Sequence, residues 1–305
     1  MVSLELPSAV MAFNQKPVRA VLLDISGVLK NCVDGKDVAI KGSVDAVNRL
    51  KASGMPVRFC TNETTTTRSA LVKKLQAIGF KVEEDEVFPP APATCLILKQ
   101  RGLRPHLLIH PALEPDFKGM EQKDPNCVVI GDAQESFSYQ NMNAAFQTLI
   151  ALDKPVLISM GQGKYYSEDN KLVLDVGAYK AALEYACGIQ AEVVGKPSQA
   201  FFLSVLSSMN AKPEETVMVG DDIESDVGGA QKCGMRGVLV RTGKYRPSDE
   251  QHPKVKPDSI VDNLAQAVDI LLKTNLSSFL STVAGCSAAC LRDAVICGRC
   301  YLRTL

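Results

Sequence analysis
Residues 18–24, VRAVLLD, leave little choice of fold. Arg19 aside, the run does not alternate between apolar and polar, so neither face of a strand built from it can be left to water. Such a strand belongs in a parallel sheet covered by helices, and parallel neighbours need crossover connections. The chain supplies them. GSVDAVNRLKASG (42–54) sets Val44, Val47 and Leu50 at helical spacing and ends on Gly54, a helix stop. PVRFCTN (56–62) reads as a second strand and RSALVKKLQAIGF (68–80) as a second helix. Further on, AEVVGKPS (191–198), TVMVGDD (216–222) and RGVLVRTG (236–243) read as three more strands. SQAFFLSVLSSM (198–209) and DVGGAQKCG (226–234) are the helices between them, and AVDILLK (267–273) is the last helix. This alternation predicts a doubly wound α/β sheet.

The middle of the chain repeats the grammar on its own. HLLIH, CVVIGD and PVLISM read as strands, with helical YQNMNAAFQTLIAL and AYKAALEYACG among them. A second α/β unit inserted into the first is the economical reading. Residues 1–16 are expected to be a flexible N-terminus, and residues 275–305 a poorly packed extension. That extension carries Cys286, Cys290, Cys297 and Cys300, the last two as C-x-x-C. A zinc or redox site there is the alternative to a merely accessory tail. The TTTT patch (64–67) reads as a turn and helix start.

Composition narrows the function classes. Lys plus Arg equals Asp plus Glu at 34 each, which argues against a dedicated nucleic-acid binder. No apolar run reaches the length of a membrane span. The N-terminal stretch has no basic segment and carries Glu5 among its apolar residues, unlike a signal peptide. Six cysteines before residue 280 sit mostly in apolar surroundings, which fits free thiols in a reducing compartment. The expectation is a soluble, intracellular protein.

In an open parallel sheet, ligands bind at the carboxyl ends of the strands. Four expected strands end there in complementary chemistry: Asp24 with Ser26, then Thr61 and Asn62, then Lys196, then Asp221, Asp222 and Asp226. Carboxylates, a lysine and hydroxyl or amide donors converging on one rim suit Mg2+ and a phosphate. Each element alone is weak, and the ordered set of four is strong. The three histidines, His106, His110 and His252, lie outside the set.

With these residues the chain resembles the haloacid dehalogenase superfamily of phosphatases. That family shows a strand ending in D-x-D, a strand ending in S/T, an isolated Lys and a strand ending in G-D-x-x-x-D. Here they read LLDISGVL, RFCTN, VVGKPS and MVGDDIESD. A large insertion between the second and third motifs marks the class with a C2-type cap. The resemblance covers about residues 17–273 and implies a Rossmann-like core at 17–91 and 190–274 with an α/β C2-type cap at 92–189. The segments LLDISGVL, RFCTNE and ESFSYQNMN are similar to members acting on phospholysine, phosphohistidine and inorganic pyrophosphate. So is the stretch that begins GDDIESDVGGAQKCG.

The resemblance implies roles. Asp24 is the nucleophile that forms an aspartyl-phosphate, and Lys196 offsets charge on nucleophile and phosphate. Asp24, Ile25, Ser26, Thr61, Asn62 and Lys196 meet the substrate. Asp24, Asp221 and the main-chain carbonyl of Ser26 hold Mg2+. Asp226 orients the metal waters or Lys196, with N-capping of the following helix as an equal alternative; Asp222 is an exposed loop carboxylate. The implied substrates are phosphorylated His or Lys, free or on proteins, and pyrophosphate. A homodimer in the cytoplasm, and also in the nucleus, is implied as well. A phosphatase of small phosphomonoesters, or a binding protein that reads phosphorylated side chains without turnover, are the rivals.

Ser26 departs from the family, which usually has an aspartate there to protonate an alkoxide leaving group. Serine keeps the carbonyl for the metal but is a poor acid. Either Ser26 is only a small residue in a tight turn, or the substrate needs no strong acid. A phosphoramidate nitrogen can be protonated before it leaves, and a phosphoanhydride expels phosphate, already a stable anion.

Overall fold
The structure, a computed structural model, describes residues 17–169 and 171–284. The expected flexible N-terminus and the four tail cysteines lie outside those residues. In chain order the elements begin with β1 (Ala20–Asp24), the hairpin β2 (Lys30–Val33) and β3 (Lys36–Ala39), and α1 (Ser43–Ala52). Then come β4 (Val57–Cys60), α2 (Arg68–Ala77), β5 (Val87–Phe88) and α3 (Pro90–Arg101). The middle holds β6 (Pro105–Leu108), β7 (Cys127–Ile130), α4 (Tyr139–Ile150) and β8 (Leu157–Ser159). It continues with the hairpin β9 (Tyr165–Glu168) and β10 (Lys171–Leu174), α5 (Val176–Cys187) and β11 (Glu192–Val193). The chain returns through α6 (Gln199–Ser208), β12 (Thr216–Gly220), α7 (Gly229–Lys232), β13 (Arg236–Val240), β14 (Ser259–Val261) and α8 (Leu264–Ala284).

Six strands form one sheet in the order β14-β13-β12-β1-β4-β5, and every pairing is parallel. The reason for the unalternating run at 20–24 is now visible. Val21 and Leu23 face a core that includes Leu50, Leu71, Leu75 and Val268 on one side of the sheet. Leu22, between them, faces Phe202, Val205 and Leu206 of α6 on the other. Burying a side chain of this size stabilises the fold by about 1.5–3 kcal/mol relative to leaving it in water.

A second, four-stranded parallel sheet runs β11-β8-β7-β6. It is sandwiched in the same way. Cys127 and Val129 pack with Leu98 of α3 and Phe117, while Val128 and Ile130 pack with Leu149 of α4 and Leu183 of α5. The result is a doubly wound parallel core with a second α/β unit inserted into it, as the sequence implied.

Three sequence expectations change. Glu192–Val193, read as a strand of the core, pairs with β8 in the second sheet, and α3, starting at Pro90, packs there too. The last helix does not stop at Lys273 but runs on to Ala284, because NLSSFLSTVA contains no Gly or Pro to end it. Residues 275–284 are therefore helical. Asn275 belongs to the core, its Nδ2 donating to the Val18 carbonyl at 2.9 Å beside the start of β1. The six cysteines before residue 280 are free thiols, Cys60 and Cys127 fully buried. Among the described residues, no helix is long and apolar enough to cross a membrane.

Candidate active site
β1, β4 and β12 lie side by side, so their carboxyl ends deliver Asp24, Thr61 and Asp221 to one rim. Lys196 reaches that rim from the far side of the inserted unit, 172 residues from Asp24 in sequence. Its Nζ lies 2.5 Å from Asp24 Oδ1 and 2.8 Å from Asp226 Oδ1, and it donates to the Cys60 carbonyl at 3.0 Å. The lysine is buried, and so are both carboxylates. Burial works against the ammonium, but Asp226 and Asp24 outweigh it and hold Lys196 charged.

Asn62 sets the lysine in place. Its Oδ1 accepts the Lys196 N–H at 2.8 Å and its Nδ2 donates to the Lys196 carbonyl at 2.9 Å. A side chain expected to serve the substrate is thus engaged in fixing the lysine backbone. Thr61 is buried, and its Oγ1 accepts the N–H of Glu63 at 3.0 Å. Ile25 turns its side chain fully into the core, and its carbonyl accepts the N–H of Leu29 at 2.9 Å and of Lys30 at 3.2 Å. What Ile25 can offer a ligand is main chain only. Ser26 is exposed, and the tight turn is made instead by Gly27 at φ 83°. A Cβ on Gly27 would stand 2.0 Å from Asp221 Oδ2, so glycine is required both for the backbone and for the approach of that carboxylate.

Of the two readings of Asp226, contact with Lys196 is the one the structure shows, and the capping part falls to Asp222. The helical turn after β12 starts at Ile223, three residues earlier than expected, as a wide π-type turn over Ile223–Gly228. Asp222 is its cap: Oδ1 accepts the N–H of Glu224 and of Ser225, both at 2.9 Å. It also pairs with Lys244 Nζ at 2.9 Å, so it is no exposed loop carboxylate. Burial pulls it up, but Lys244 and these N–H groups win and hold it down at about 2. Asp226 does not cap the helix. It lies inside the turn, fully buried, ion-paired with Lys196 and accepting the Asp222 N–H at 3.1 Å on Oδ2. The carboxylate fits only because residue 220 is glycine, whose Cβ would stand 2.2 Å from Asp226 Oδ2.

Carboxylate oxygens of Asp24, Asp221 and Asp226 lie within 4.8 Å of one another. With half-buried Asp222, four acids face two lysines, buried Lys196 and half-buried Lys244. When all four acids are ionised the balance is two negative charges, which a divalent cation neutralises. Asp226 Oδ2 accepts the Asp222 N–H, and its Oδ1, outside hydrogen-bond alignment, stands 2.8 Å from the Lys196 ammonium. Asp221 Oδ2 accepts the Lys244 N–H at 2.8 Å, while its Oδ1 is buried with neither a hydrogen bond nor an ion-pair partner. A buried bare carboxylate oxygen beside Asp24 fits a metal-ligand position. Burial, with Asp24 close by, raises Asp221 well above the usual carboxylate range. Burial with Asp24 and Asp222 also raises Asp226, to about 7.

Family profiles match on both sides of the inserted unit. One, described as haloacid dehalogenase-like hydrolase, covers residues 21–135, and another, HAD-hydrolase-like, covers 193–267. The Xenopus laevis and Homo sapiens proteins named phospholysine phosphohistidine inorganic pyrophosphate phosphatase are 62% and 61% identical over 256 residues. Each match spans 84% of this chain and 95% of the relative. A Bos taurus haloacid dehalogenase-like hydrolase domain-containing protein 2 is 43% identical over 85% of this chain and 98% of its own. Among solved structures, 4-nitrophenylphosphatase from Thermotoga maritima superposes with a TM-score of 0.73 at 24% identity, covering 83% of this chain and 97% of that one. NagD from E. coli K-12 does so with a TM-score of 0.69 at 25% identity, covering 82% and 98%. Sheet order, capped architecture and identity over most of the chain agree: this chain belongs to the haloacid dehalogenase-like hydrolases.

Proposed function
We propose that the protein is a Mg2+-dependent phosphatase that hydrolyses the N–P bonds of phospholysine and phosphohistidine and the P–O–P bond of pyrophosphate. The identity with relatives bearing that name supports the substrates. The observation that carries the chemistry is Asp24, buried and paired with Lys196, beside the bare Oδ1 of Asp221. The metal would be held by Asp24, Asp221 and the main-chain carbonyl of Ser26. Bound there, Mg2+ draws negative charge off the phosphoryl oxygens. Asp24 attacks phosphorus through one carboxylate oxygen, giving an aspartyl-phosphate and splitting hydrolysis into two easier steps. Lys196 holds Asp24 in line and offsets the charge that gathers on the equatorial oxygens. The Thr61 hydroxyl, whose oxygen already accepts from Glu63, turns its own proton to the phosphate. Asp226 and Asn62 keep Lys196 in position. The β6–β8 sheet with its helices closes over the rim as the cap, entered near residue 89 and left near 195. A steady-state panel of pyrophosphate, phospholysine, phosphohistidine and an alkyl phosphate, with and without Mg2+, tests this reading. Turnover of the alkyl phosphate alone would give the site to monoesters.

The acids give the metal a second readout. A carboxyl whose folded pKa stands above its unfolded value of about 3.9 stabilises the fold in its protonated form. That contribution is complete below the unfolded value and is lost as pH rises through the folded one, about 7 for Asp226. Asp221 shifts in the same direction. Asp222, held at about 2, titrates below this window. In chelator, Tm is therefore expected to fall as pH is raised from about 5 to about 8. Mg2+ should flatten that slope and raise Tm at the alkaline end. A chelated protein with the same Tm across the range, unmoved by Mg2+, overturns the assignment of a metal to these acids.

Ser26→Asp should raise activity on an alkyl phosphate relative to pyrophosphate, since it supplies a proton donor to a leaving group that needs one. The exposed Ser26 side chain leaves room for the change, and Gly27 already makes the turn. A well-placed general acid contributes ~10²- to 10⁴-fold, and an untuned one much less. The new charge near Asp24 and Asp221 weakens phosphate binding for both substrates, so the ratio of the two kcat/KM values is the measure. An unchanged ratio in a folded, Mg2+-binding variant returns Ser26 to the role of a small turn residue.

A further inference from the structure
A cleft of about 110 Å3 opens beside Asp221, between the segment entering β9 and the turn after β12. Lys164 and Tyr165 line it from the cap, and Asp221, Glu224, Lys244 and His252 from the core. Asp221 joins it to the reaction centre, since a carboxylate oxygen of Asp221 lies within 4.8 Å of one of Asp24. At its outer end two cationic or proton-bearing groups, Lys164 and His252, hold one carboxylate. Lys164 Nζ stands 3.0 Å from Glu224 Oε2 and 3.2 Å from Oε1. His252 Nε2 stands 3.3 Å from Glu224 Oε1. The His252 Nδ1 accepts the N–H of Val255 at 3.1 Å and of Lys254 at 3.4 Å, so its proton belongs on Nε2, facing Glu224.

The other charges of the cleft have fixed partners. Lys244 and Asp222 pair with each other, and Asp249 accepts the Arg246 N–H at 2.8 Å in its own turn. Glu224 differs. Its side chain is 48% exposed and that of Lys164 70%, and exposed pairs of this kind hold weakly. A carboxylate of the chain thus fills, exchangeably, a place suited to an anion, in the cleft that Asp221 also lines.

We propose that this cleft is the leaving-group subsite for pyrophosphate, with the phosphate distal to Asp24 docking between Lys164 and His252 and displacing Glu224. The proposal rests on the pyrophosphatase reading above. As the Asp24 oxygen bonds to the near phosphorus, the bridging P–O bond breaks and its electron pair leaves on orthophosphate. Lys164 and His252 meet that growing charge as hydrogen-bond donors. The leaving group needs no proton at that moment, which accounts for a site that works with serine at position 26. The competing occupant is an amine: Glu224 would then accept from the lysine or imidazole released by N–P cleavage.

The full chain with Mg2+ separates the two. Lys164→Met should weaken binding of methylenediphosphonate, a non-hydrolysable pyrophosphate analogue, by ~10- to 30-fold in calorimetry and raise KM for pyrophosphate alike. kcat/KM for phospholysine should stay within about threefold, as it lacks the distal phosphate. Glu224→Gln removes the internal competitor and should tighten methylenediphosphonate by ~3- to 10-fold. Both side chains are largely in solvent, and melting curves check the fold. Unchanged analogue binding in Lys164→Met, equal losses on both substrates, or a Glu224→Gln defect confined to phospholysine each overturn the subsite. If Lys164→Met weakens analogue binding but the wild type hydrolyses no substrate, the subsite stands and the pyrophosphatase reading fails.

Discussion
Asp24→Asn is expected to remove turnover on every substrate, by on the order of 10⁴-fold or more, while the protein stays folded. The amide is a far weaker nucleophile than the carboxylate, and it surrenders one charged metal ligand. The fold should tolerate it for a structural reason. The amide oxygen can still accept from Lys196 Nζ, which keeps the charge of Asp226 at 2.8 Å. Removing one negative charge also relieves the crowding that raises Asp221 and Asp226. Phosphate release on pyrophosphate and phospholysine measures the rate, and a melting curve measures the fold. A second assay speaks to the covalent step: wild type given labelled phosphate donor and quenched in acid should retain label, and Asp24→Asn should not. A well-folded variant that keeps near-normal activity would end the aspartyl-phosphate mechanism.

Lys196→Met should damage stability and rate together. The ammonium stands between Asp24 and Asp226 in a fully buried position, and no water can replace it. Breaking a buried ion pair from one side costs about 3–5 kcal/mol, because the charges left behind are uncompensated. For a chain of this size that lowers Tm by roughly 5–8 °C. The loss has a pH signature. Without the lysine, which holds Asp226 down against burial, Asp226 protonates more readily in the folded state, so the deficit should shrink as pH is lowered and widen as it is raised. Methionine fills similar space, which separates lost charge from lost packing. Turnover should drop by ~10³-fold or more, since both alignment of Asp24 and charge neutralisation go with the side chain. A Lys196→Met protein with unchanged Tm at pH 8 would mean the buried acids are balanced by something other than this lysine.

Much of this arrangement could be read from the chain alone, because it rests on short-range rules. A run such as AVLLD has to be covered on both faces, and it is: Leu22 packs under α6 while Val21 and Leu23 pack under α1, α2 and α8. Once the sheet is parallel, strand ends share one rim, so Asp24, Thr61 and Asp221 had to meet there. Their chemistry, two acids and a hydroxyl at strand ends, pointed to phosphate and metal before any distance was known. Helix positions followed from periodicity to within a few residues.

What the tertiary structure alone decided is who pairs with whom. Asp222 and Asp226 are four residues apart and alike in sequence, yet one caps a turn and meets Lys244 while the other is sealed against Lys196. No local rule separates them, since the choice depends on which lysine a distant segment brings into the same desolvated space. Asn62 is drawn to the Lys196 backbone, 134 residues away, for the same reason. β11 joins the second sheet because β8 offers a free edge there, a fact about another part of the chain. His252, which stands outside every motif, reaches the cleft only because Glu224 and Lys164 are carried to it from separate elements. Local sequence determines what each segment buries and where each strand ends. The partners of buried charges are set by long-range packing, where desolvation makes every ångström of placement count.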